Sequence, residues 1–444
     1  MAEQAGQLAG DGEETSRMRI TVVTPTARSS AIGAVSSCLT QNLARNGYEV
    51  TVVQAETLPP PVENEHQFPM APVHYAAVGV EKLLQQADVV IYQVGNHYPN
   101  HAGAVYWLYR IPGVVCLHDA FLGHLFAGWA EANWTDAQAV LRRWYGPIVE
   151  QKYWDWQAQE TFIESTINVA PMTEWICARA IGIFTHSSYF SERIIHACPG
   201  PVWSFPLCHA KEPVISASTP EEHRVKANDR FTVITFGHII PNKCVNRAIE
   251  AIGTHPELRD VVDYRVVGRI SPDYGLALKR QARNLRVSLA ITGEVSDERL
   301  AAELAGADVV LALRWPATEL ASASVIEALW HGKPTVVTDT GCYAELPDNI
   351  VHKSSPEISA EQLGIIIHKI LSVSNINNQS ELRSQYSRLQ FDGHIYANRV
   401  SEFIKLNYTT FLFMFEITRL KTIVYAWKTN IHTNDIITKW RIFQ

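Results

Sequence analysis

The sequence predicts an α/β fold made of two doubly wound, Rossmann-like halves that face an interdomain cleft. Short apolar runs rich in β-branched residues alternate with amphipathic helical segments, which is typical of parallel sheets covered on both faces. This alternation starts at Met18, is interrupted by a polar segment at 211–229, and restarts at Phe231. The length of 444 residues suits two or three domains.

The composition is that of an ordinary globular protein, with 47% hydrophobic and 19% charged residues. The net charge of −7 argues against a general nucleic-acid binder. The seven cysteines are scattered and never form a CxxC pair, which predicts free thiols in a reducing cytosol and no structural zinc. Because neither a signal-like core nor a run of 18 uncharged apolar residues occurs, we expect a cytoplasmic protein without a transmembrane helix.

The first half opens with a βαβ pattern. A strand, MRITVVTPTA, is followed by the loop Arg28–Gly33, a helix, and a second strand, YEVTVVQAE. The loop lacks GxGxxG, so a dinucleotide fingerprint is missing. Two interpretations stay open: the loop is a packing turn, or its backbone N–H groups face an anionic or hydroxylated ligand.

A later strand of the first half, PGVVCLHD, ends in His118 and Asp119. Residues at the carboxyl end of such a strand face the cleft. His118 is either a structural hydrogen-bonding residue or a ligand contact. The aromatic helical segment 121–175 is either helix–helix core or an acceptor platform, since aromatic faces stack on sugar rings. A strand, IGIFTHS, then leads to a helix predicted to begin near Ser188.

The second half repeats the strand–helix alternation. Ser296 is the predicted N-cap of one helix, and Ser359 opens another. Between them lies the stretch RWPATELASASVIEALWHGKP, in which Glu319 and Glu327 have seven residues between them. Glu319 follows the strand-like run DVVLAL, and Glu327 lies about two turns further on, roughly on the same face. Ligands bind at such a strand-to-helix edge.

The chain changes character after residue 375. NINNQS is predicted to be a loop, and the segment from Leu382 to Lys405 a helix pair. From residue 407 the chain is apolar, aromatic, rich in Lys and Arg and poor in acids. Three interpretations remain open: an interfacial helix on a membrane, a segment that packs on the N-terminal half, or a poorly folded tail.

The second half resembles the nucleotide-binding half of retaining glycosyltransferases of the GT-B fold, family 4, also called glycosyl transferases group 1. Three pieces carry the resemblance: FGHIIPNK (Phe236–Lys243), YRVVGR (Tyr264–Arg269), and the Glu319–Glu327 pair followed by HGKPTVVTDTG. It covers 230–375 well and 18–210 more loosely. With it, the domains are predicted as a disordered tail (1–17), an acceptor-side Rossmann-like domain (18–210), a linker (211–229), a nucleotide-sugar-binding Rossmann-like domain (230–375), and C-terminal helices (376–444).

The resemblance implies three catalytic residues. Lys243 would contact the donor's diphosphate, and Glu319 would approach the donor sugar. His118 matches the family's strand-end histidine near the transferred sugar.

The resemblance also implies donor-binding residues, with Glu327 holding the nucleotide ribose and Gly33 in the loop that closes over the donor. The sequence departs from the family pattern at two places. His238 stands where an arginine usually follows the glycine, and LASAS replaces a glycine-rich stretch after Glu319. The full predicted donor-binding set is Gly33, Gly237, His238, Lys243, Ser322, Ser324 and Glu327.

The implied function is retaining transfer of a sugar from a nucleotide-diphosphate sugar to a glycan, lipid-linked or small-molecule acceptor, in bacterial surface polysaccharide or glycoconjugate synthesis. No Asp-x-Asp pair occurs in the predicted folded region, so we expect neither a bound metal nor a cofactor. The expected partners are the nucleotide sugar and the acceptor, without nucleic acid, and the tail could contact the inner face of the membrane. The alternatives are a catalytically degenerate nucleotide-sugar-binding protein and a sugar-nucleotide epimerase of the same architecture.

Overall fold

The computed structural model describes residues 17–210, 230–372 and 376–428. Within these residues, thirteen strands form two sheets whose pairings are all parallel, as predicted. The strands of the first sheet are β1 (Arg19–Thr24), β2 (Glu49–Gln54), β3 (Val73–His74), β4 (Val89–Val94), β5 (Val114–Leu117), β6 (Gly182–Thr185) and β7 (Val202–Ser204). Those of the second are β8 (Phe231–Phe236), β9 (Val262–Val267), β10 (Ser288–Gly293), β11 (Val309–Ala312), β12 (Thr335–Thr338) and β13 (His352–Ser354).

The strand orders are those of doubly wound sheets: β3-β2-β1-β4-β5-β6-β7 in the first and β10-β9-β8-β11-β12-β13 in the second. The helices of the first half are α1 (Ala31–Arg45), α2 (Val80–Gln86), α3 (Tyr98–Leu108), α4 (Gly123–Ala130), α5 (Trp134–Gln157), α6 (Phe162–Thr166), α7 (Thr173–Cys177) and α8 (Ser191–Ala197). Those that follow are α9 (Val245–Thr254), α10 (Pro256–Arg259), α11 (Pro272–Asn284), α12 (Asp297–Gly306), α13 (Ala323–Trp330), α14 (Ala360–Ser372), α15 (Ile376–Gln390) and α16 (Gly393–Lys428).

The apolar strands explain why both sheets are buried. In β4 and β5 every residue is buried, and the same holds for β11 and β12. Such continuous burial requires helices on both faces, since a sheet open to water on one face would alternate apolar and polar residues. Ser296 is confirmed as an N-cap and Ser359 as the residue that opens a helix, because their hydroxyls accept from the backbone N–H of Arg299 and Gln362 at 3.3 and 3.2 Å.

The aromatic helical segment is mostly core. Trp129, Tyr153 and Trp175 are buried, and the rings of Trp129 and Trp175 lie 4.9 Å apart. The core interpretation is therefore confirmed for these three residues. Trp134 is 52% exposed and packs against Trp154 at 4.7 Å, so its outer face is open to a ligand.

The last long helix returns to the first half of the molecule. Helix α16 packs on α1, and the ring centroid of Phe403 lies 5.7 Å from that of Phe184 in β6. A Cβ on Gly182 would come within 2.6 Å of the ring of Phe411, which shows how closely α16 approaches this sheet. None of the described helices has the length and hydropathy needed to cross a membrane. The predicted linker 211–229, residues 1–16 of the predicted tail and residues 429–444 lie outside the described residues.

Three predicted element boundaries are wrong. Helix α1 begins at Ala31, so Gly33 belongs to its first turn and not to the preceding loop. Helix α8 begins at Ser191, because Phe190 has a left-handed backbone with φ 64°. The predicted loop NINNQS is helical from Ile376 onward, since packing of α15 on α13 outweighs the weak helix propensity of its Asn and Ser residues.

Candidate active site

The carboxyl edges of the two sheets meet through their backbones. Asp119, just after β5, forms an isolated antiparallel bridge with Glu319, which follows β11. The Ala120 N–H donates to the carbonyl oxygen of Thr318 at 2.7 Å, and the Leu320 N–H donates to that of His118 at 2.8 Å. The segment that contains the first predicted glutamate is therefore held directly against the strand end that contains His118.

Glu319 is fixed in place by two donors. Its Oε1 accepts from Arg314 Nε at 3.0 Å and also from the hydroxyl of Tyr343. Arg314 is 5% exposed and Tyr343 is 1% exposed, whereas the Glu319 side chain keeps 20% of its surface. The Oε2 atom makes no hydrogen bond within the described part of the chain, so it is the oxygen that could accept from a sugar hydroxyl. Arg314 is not among the predicted site residues. Its position just after β11, at the carboxyl end of a parallel strand, is the sequence signal that could have identified it.

Lys243 lies beneath the glycine of the FGHIIPNK segment. A short 3-10 turn, Pro241–Lys243, turns its side chain inward, and its amine donates to the carbonyl oxygen of Phe236. Burial lowers the pKa of Lys243 well below its ordinary value, the nearby Arg314 lowers it further, and Glu319 acts in the opposite direction. A Cβ on Gly237, where φ is +97°, would lie 2.9 Å from Nζ, so glycine leaves that side of the amine open.

The glycine of the YRVVGR segment supports this arrangement. Gly268 has φ +131°, and a Cβ there would come 2.0 Å from the carbonyl oxygen of Gly237. Its backbone N–H donates to the carbonyl oxygen of Gly293 at 2.8 Å. Only glycine lets the turns at Gly237, Gly268 and Gly293 approach one another so closely. This explains why the FGHIIPNK and YRVVGR segments each contain a glycine.

His238 is exposed beside Arg269 and Lys243. Partial burial lowers the pKa of His238, and the positive charges of Arg269 and Lys243 lower it further. The imidazole is therefore neutral at pH 7 and supplies less positive charge than the arginine that is usual there. The next residue's N–H, that of Ile239, donates to the carbonyl oxygen of Arg269 at 2.8 Å, which keeps the exposed Arg269 at the same edge.

Ser322 and Ser324 lie at the start of α13. Ser322 is the N-cap residue, but its hydroxyl contacts the hydroxyl of Ser324 at 3.1 Å and makes no capping bond to the helix backbone. A helix start without a side-chain cap can offer its first N–H groups to an anion or a hydroxyl. This geometry suits the predicted donor-binding role of both serines.

Glu327 lies on the buried face of α13 and is engaged by histidines. His209 Nε2 is 2.9 Å from Oε2, and His331 Nε2 is 3.4 Å from Oε1. The His209 ring is stacked on Trp330 at 4.3 Å with an interplanar angle of 7°. A ribose hydroxyl would have to share or replace the contact with His209 to reach this carboxylate.

His118 is 7% exposed and hydrogen-bonded within the first half. Its Nε2 lies 2.6 Å from Gln93 Oε1 and 3.4 Å from Cys116 Sγ, which is also 3.4 Å from His186 Nε2. Burial lowers the pKa of His118 well below its usual value and that of His186 to about 4, so both rings are neutral at pH 7. These contacts are those of a structural hydrogen-bonding residue, and the catalytic role of His118 stays a prediction.

Two groups of side chains among the described residues are close enough to bind a metal: Cys116, His118 and His186, and the surface group His255, Glu257 and His368. In the first group His118 already bonds to Gln93. In the second, His368 Nε2 pairs with Glu257 Oε2 at 2.9 Å. Neither group is fully hydrogen-bonded, because the buried Nδ1 atoms of His186 and His255 have no hydrogen-bond partner among the described residues. The expectation of a metal-free site stays a prediction.

Asp119 and Gly33 border the same region from the first half. Asp119 Oδ2 accepts from the Asn96 N–H at 2.8 Å, yet burial, with a smaller effect from Glu319, raises the pKa of Asp119 to about 7. The Gly33 N–H donates to its own N-cap, Ser30 Oγ, at 3.1 Å, and a Cβ on Gly33 would meet the carbonyl oxygen of Pro25 at 2.9 Å. Gly33 is therefore needed for packing of the first turn of α1.

The comparisons with known proteins agree with this architecture. Sucrose-phosphate synthase of Thermosynechococcus elongatus matches with a TM-score of 0.61 at 14% identity, over 88% of this chain and 100% of that one. HepE of Anabaena, solved with UDP and glucose, matches with a TM-score of 0.57 at 16% identity, over 88% and 100%. WaaG, a glycosyltransferase involved in lipopolysaccharide biosynthesis, matches with a TM-score of 0.56 at 17% identity, over 87% and 99%. No curated protein sequence matches the chain.

The family evidence comes from the second half of the sequence. Residues 218–381 match the family model described as glycosyl transferases group 1. This range includes the Gly237–Lys243 segment, Gly268, and both glutamates. The chain has the GT-B fold, and residues 218–381 of it match the family model of glycosyl transferases group 1.

Proposed function

We propose that the protein is a retaining glycosyltransferase that moves a sugar from a nucleotide-diphosphate sugar to a glycan, lipid-linked or small-molecule acceptor. The observation that carries the proposal is the Asp119–Glu319 bridge, which places a carboxylate of the group 1 domain against the opposite sheet edge. Burial lowers the pKa of Lys243, and Lys243 lies close enough to Glu319 for the charge of the carboxylate to oppose that lowering. A sugar-binding carboxylate and a buried amine thus share one edge of the cleft.

In the proposed reaction the bond between the anomeric carbon and the phosphate oxygen breaks, and its electron pair stays with the nucleoside diphosphate. The acceptor oxygen forms the new bond to the anomeric carbon, and its proton passes to the departing phosphate. Lys243 and the start of α13 stabilise the negative charge that builds on the phosphate. Glu319 Oε2 accepts from a hydroxyl of the donor sugar, while Arg314 and Tyr343 hold Oε1.

The donor proposal has support from solved structures of the same fold. HepE of Anabaena was solved with UDP-glucose as well as with UDP, at 17% and 16% identity to this chain. We therefore propose a uridine-diphosphate sugar as the first donor to test. The acceptor would approach from the first half, where Trp134 is half exposed, and synthesis of a surface polysaccharide or another glycoconjugate is the proposed role.

The proposal includes a cytoplasmic site of action and metal-independent transfer. All seven cysteines are free thiols, which supports a reducing compartment. Excess EDTA should leave the transfer rate unchanged. A rate that falls with EDTA and returns with Mg²⁺ or Mn²⁺ would contradict metal independence.

A second candidate function is nucleotide-sugar binding without transfer. The contact between His209 and Glu327 favours this second function, since His209 occupies the carboxylate that the resemblance assigns to the ribose. A transfer assay separates the two functions: purified protein is mixed with a nucleotide sugar and an acceptor mixture, and release of nucleoside diphosphate is measured. Binding without any release would support the second function. An epimerase would change the sugar without an acceptor. For a transferase, NMR of the product's anomeric proton would separate retention from inversion.

A further inference from the structure

Three basic side chains of the group 1 domain lie at the sheet edge where β8, β9 and β11 end, but they differ in exposure. Arg269 is exposed, whereas Lys243 and Arg314 are 7% and 5% exposed. A buried cation is costly unless an anion compensates it. The two buried basic side chains are therefore the informative ones, because the fold has placed them in the site at a cost.

The loops that contain Lys243 and Arg314 are joined directly. The Trp315 N–H donates to the carbonyl oxygen of Asn242 at 2.8 Å, so the residue after Arg314 is bonded to the residue before Lys243. The Arg314 N–H is in turn fixed to Thr338 Oγ1 at 3.0 Å. Both side chains are thus positioned by backbone contacts that do not depend on a ligand.

The carboxylate of Glu319 interacts with both basic side chains, those of Arg314 and Lys243. Glu319 pairs with Arg314 at 3.0 Å. Burial lowers the pKa of Lys243 and the charge of Arg314 lowers it further, whereas the charge of Glu319 acts in the opposite direction. Arg314 uses Nε for Glu319 and Nη1 for the carbonyl oxygen of Leu313 at 2.8 Å. Its Nη2 makes no hydrogen bond to any residue that the structure describes. Two basic side chains share one carboxylate, and one guanidinium nitrogen is unused, so a bound anion would find a hydrogen-bond donor and would favour the protonated form of Lys243.

We infer that Arg314 is a further donor-binding residue, which binds the diphosphate of the nucleotide sugar together with Lys243 and supplies the arginine that position 238 lacks. This inference rests on the proposed function. The guanidinium of Arg314 reaches the diphosphate from the β11 edge instead of from the segment after Gly237. A neutral His238 is tolerated because the second positive charge comes from elsewhere in the fold.

The inference is tested by isothermal titration of the full-length protein with UDP, and with uridine as the probe that lacks phosphate. R314M should weaken UDP binding about tenfold to a hundredfold, as expected for a lost charged hydrogen bond, and leave uridine binding unchanged. R314Q should behave in the same way. It serves as the second variant if R314M does not fold, because its side-chain amide can still donate toward Leu313 and Glu319. R314K keeps the charge and should lose less affinity than either.

The decisive variant restores the charge at the position that is usual in the family. H238R in the R314M background should regain part of the UDP affinity, because the new guanidinium faces the same diphosphate from an exposed position. Arg265 of β9 provides the control. It is an arginine of the same sheet with a half-exposed side chain, and its guanidinium pairs with Glu303 at 2.6 Å. R265M should leave UDP binding unchanged.

Three outcomes would overturn the inference. If R314M and R314Q bind UDP as the wild type does while turnover falls, Arg314 only positions Glu319. If UDP and uridine are weakened equally, Arg314 acts on the fold and not on phosphate. If the wild type binds neither UDP nor ADP or GDP, the proposed function fails together with the inference, whereas the first two outcomes leave the proposed function intact.

Discussion

The contact between His209 and Glu327 makes a prediction that separates fold stability from nucleotide binding. The two side chains are 5% and 11% exposed, so solvent screens their 2.9 Å contact only weakly. A buried hydrogen bond to a charged group contributes about 1.5–3 kcal/mol. Glu327→Ala and His209→Ala should therefore each lower the free energy of unfolding by about that amount, measured by urea denaturation.

The same two variants should differ in nucleotide affinity. If Glu327 binds the ribose, Glu327→Ala weakens UDP binding by about 1.5–3 kcal/mol, which is roughly tenfold to 150-fold in Kd. His209→Ala removes the side chain that competes with a ribose hydroxyl for Oε2 of Glu327, so UDP affinity should stay the same or increase. Both Kd values are measured by isothermal titration at a temperature where each variant is folded.

A substrate analogue completes this experiment. Deoxy-UDP lacks one ribose hydroxyl, so the preference of the wild type for UDP over deoxy-UDP should disappear in Glu327→Ala. The reasoning is refuted if Glu327→Ala binds UDP like the wild type. It is also refuted if His209→Ala loses as much affinity as Glu327→Ala, because Glu327 would then serve only to hold the chain segment that contains His209.

Three further variants test other parts of the site. Gly268→Ala should destabilise the fold by about 3 kcal/mol or more in urea denaturation, since a Cβ would lie 2.0 Å from a carbonyl oxygen; Gly306→Ala, where a Cβ meets nothing within 4 Å, should not. Asp119, whose pKa is raised to about 7, holds a proton in the folded state that the unfolded chain loses near pH 4, so stability falls as pH rises from about 4 to 7. The stability of Asp119→Asn relative to the wild type should therefore increase over that range by up to about 4 kcal/mol, and a constant difference would contradict the raised pKa. Lys243→Ala should depress turnover more than acceptor affinity, and an equal loss of both would count against its phosphate role.

The fold could be predicted because its signals are local. Alternating apolar runs and helical segments specify two parallel sheets, and Ser296 and Ser359 mark helix starts within a few residues of sequence. The boundaries that failed depend on backbone or tertiary detail. The left-handed backbone of Phe190 delays α8, and packing on α13 makes a helix of a segment rich in Asn and Ser.

The site could be predicted only in part for the same reason. Gly237, Lys243 and Glu319 belong to short motifs, so their type and order predict a site at this sheet edge. The partners of Glu327 and the surroundings of His118 are set by residues distant in sequence: His209 lies 118 positions from Glu327, and His186 lies 70 positions from Cys116. Arg314 is five residues from Glu319, but only the geometry of the loop after β11 shows that the two side chains pair.

Donor turnover by the wild type and by Glu319→Gln is the most direct measurement of the proposed function. Nucleotide sugars are first screened by thermal shift, since a ligand of the folded state raises the melting temperature. Release of nucleoside diphosphate from the strongest ligand is then followed with an acceptor mixture. The account predicts that the wild type turns this donor over, and that Glu319→Gln still binds it but reacts at least about tenfold more slowly, a barrier increase of ~1.4 kcal/mol. Equal rates for the two proteins, or no nucleotide sugar that shifts the melting temperature, would contradict it.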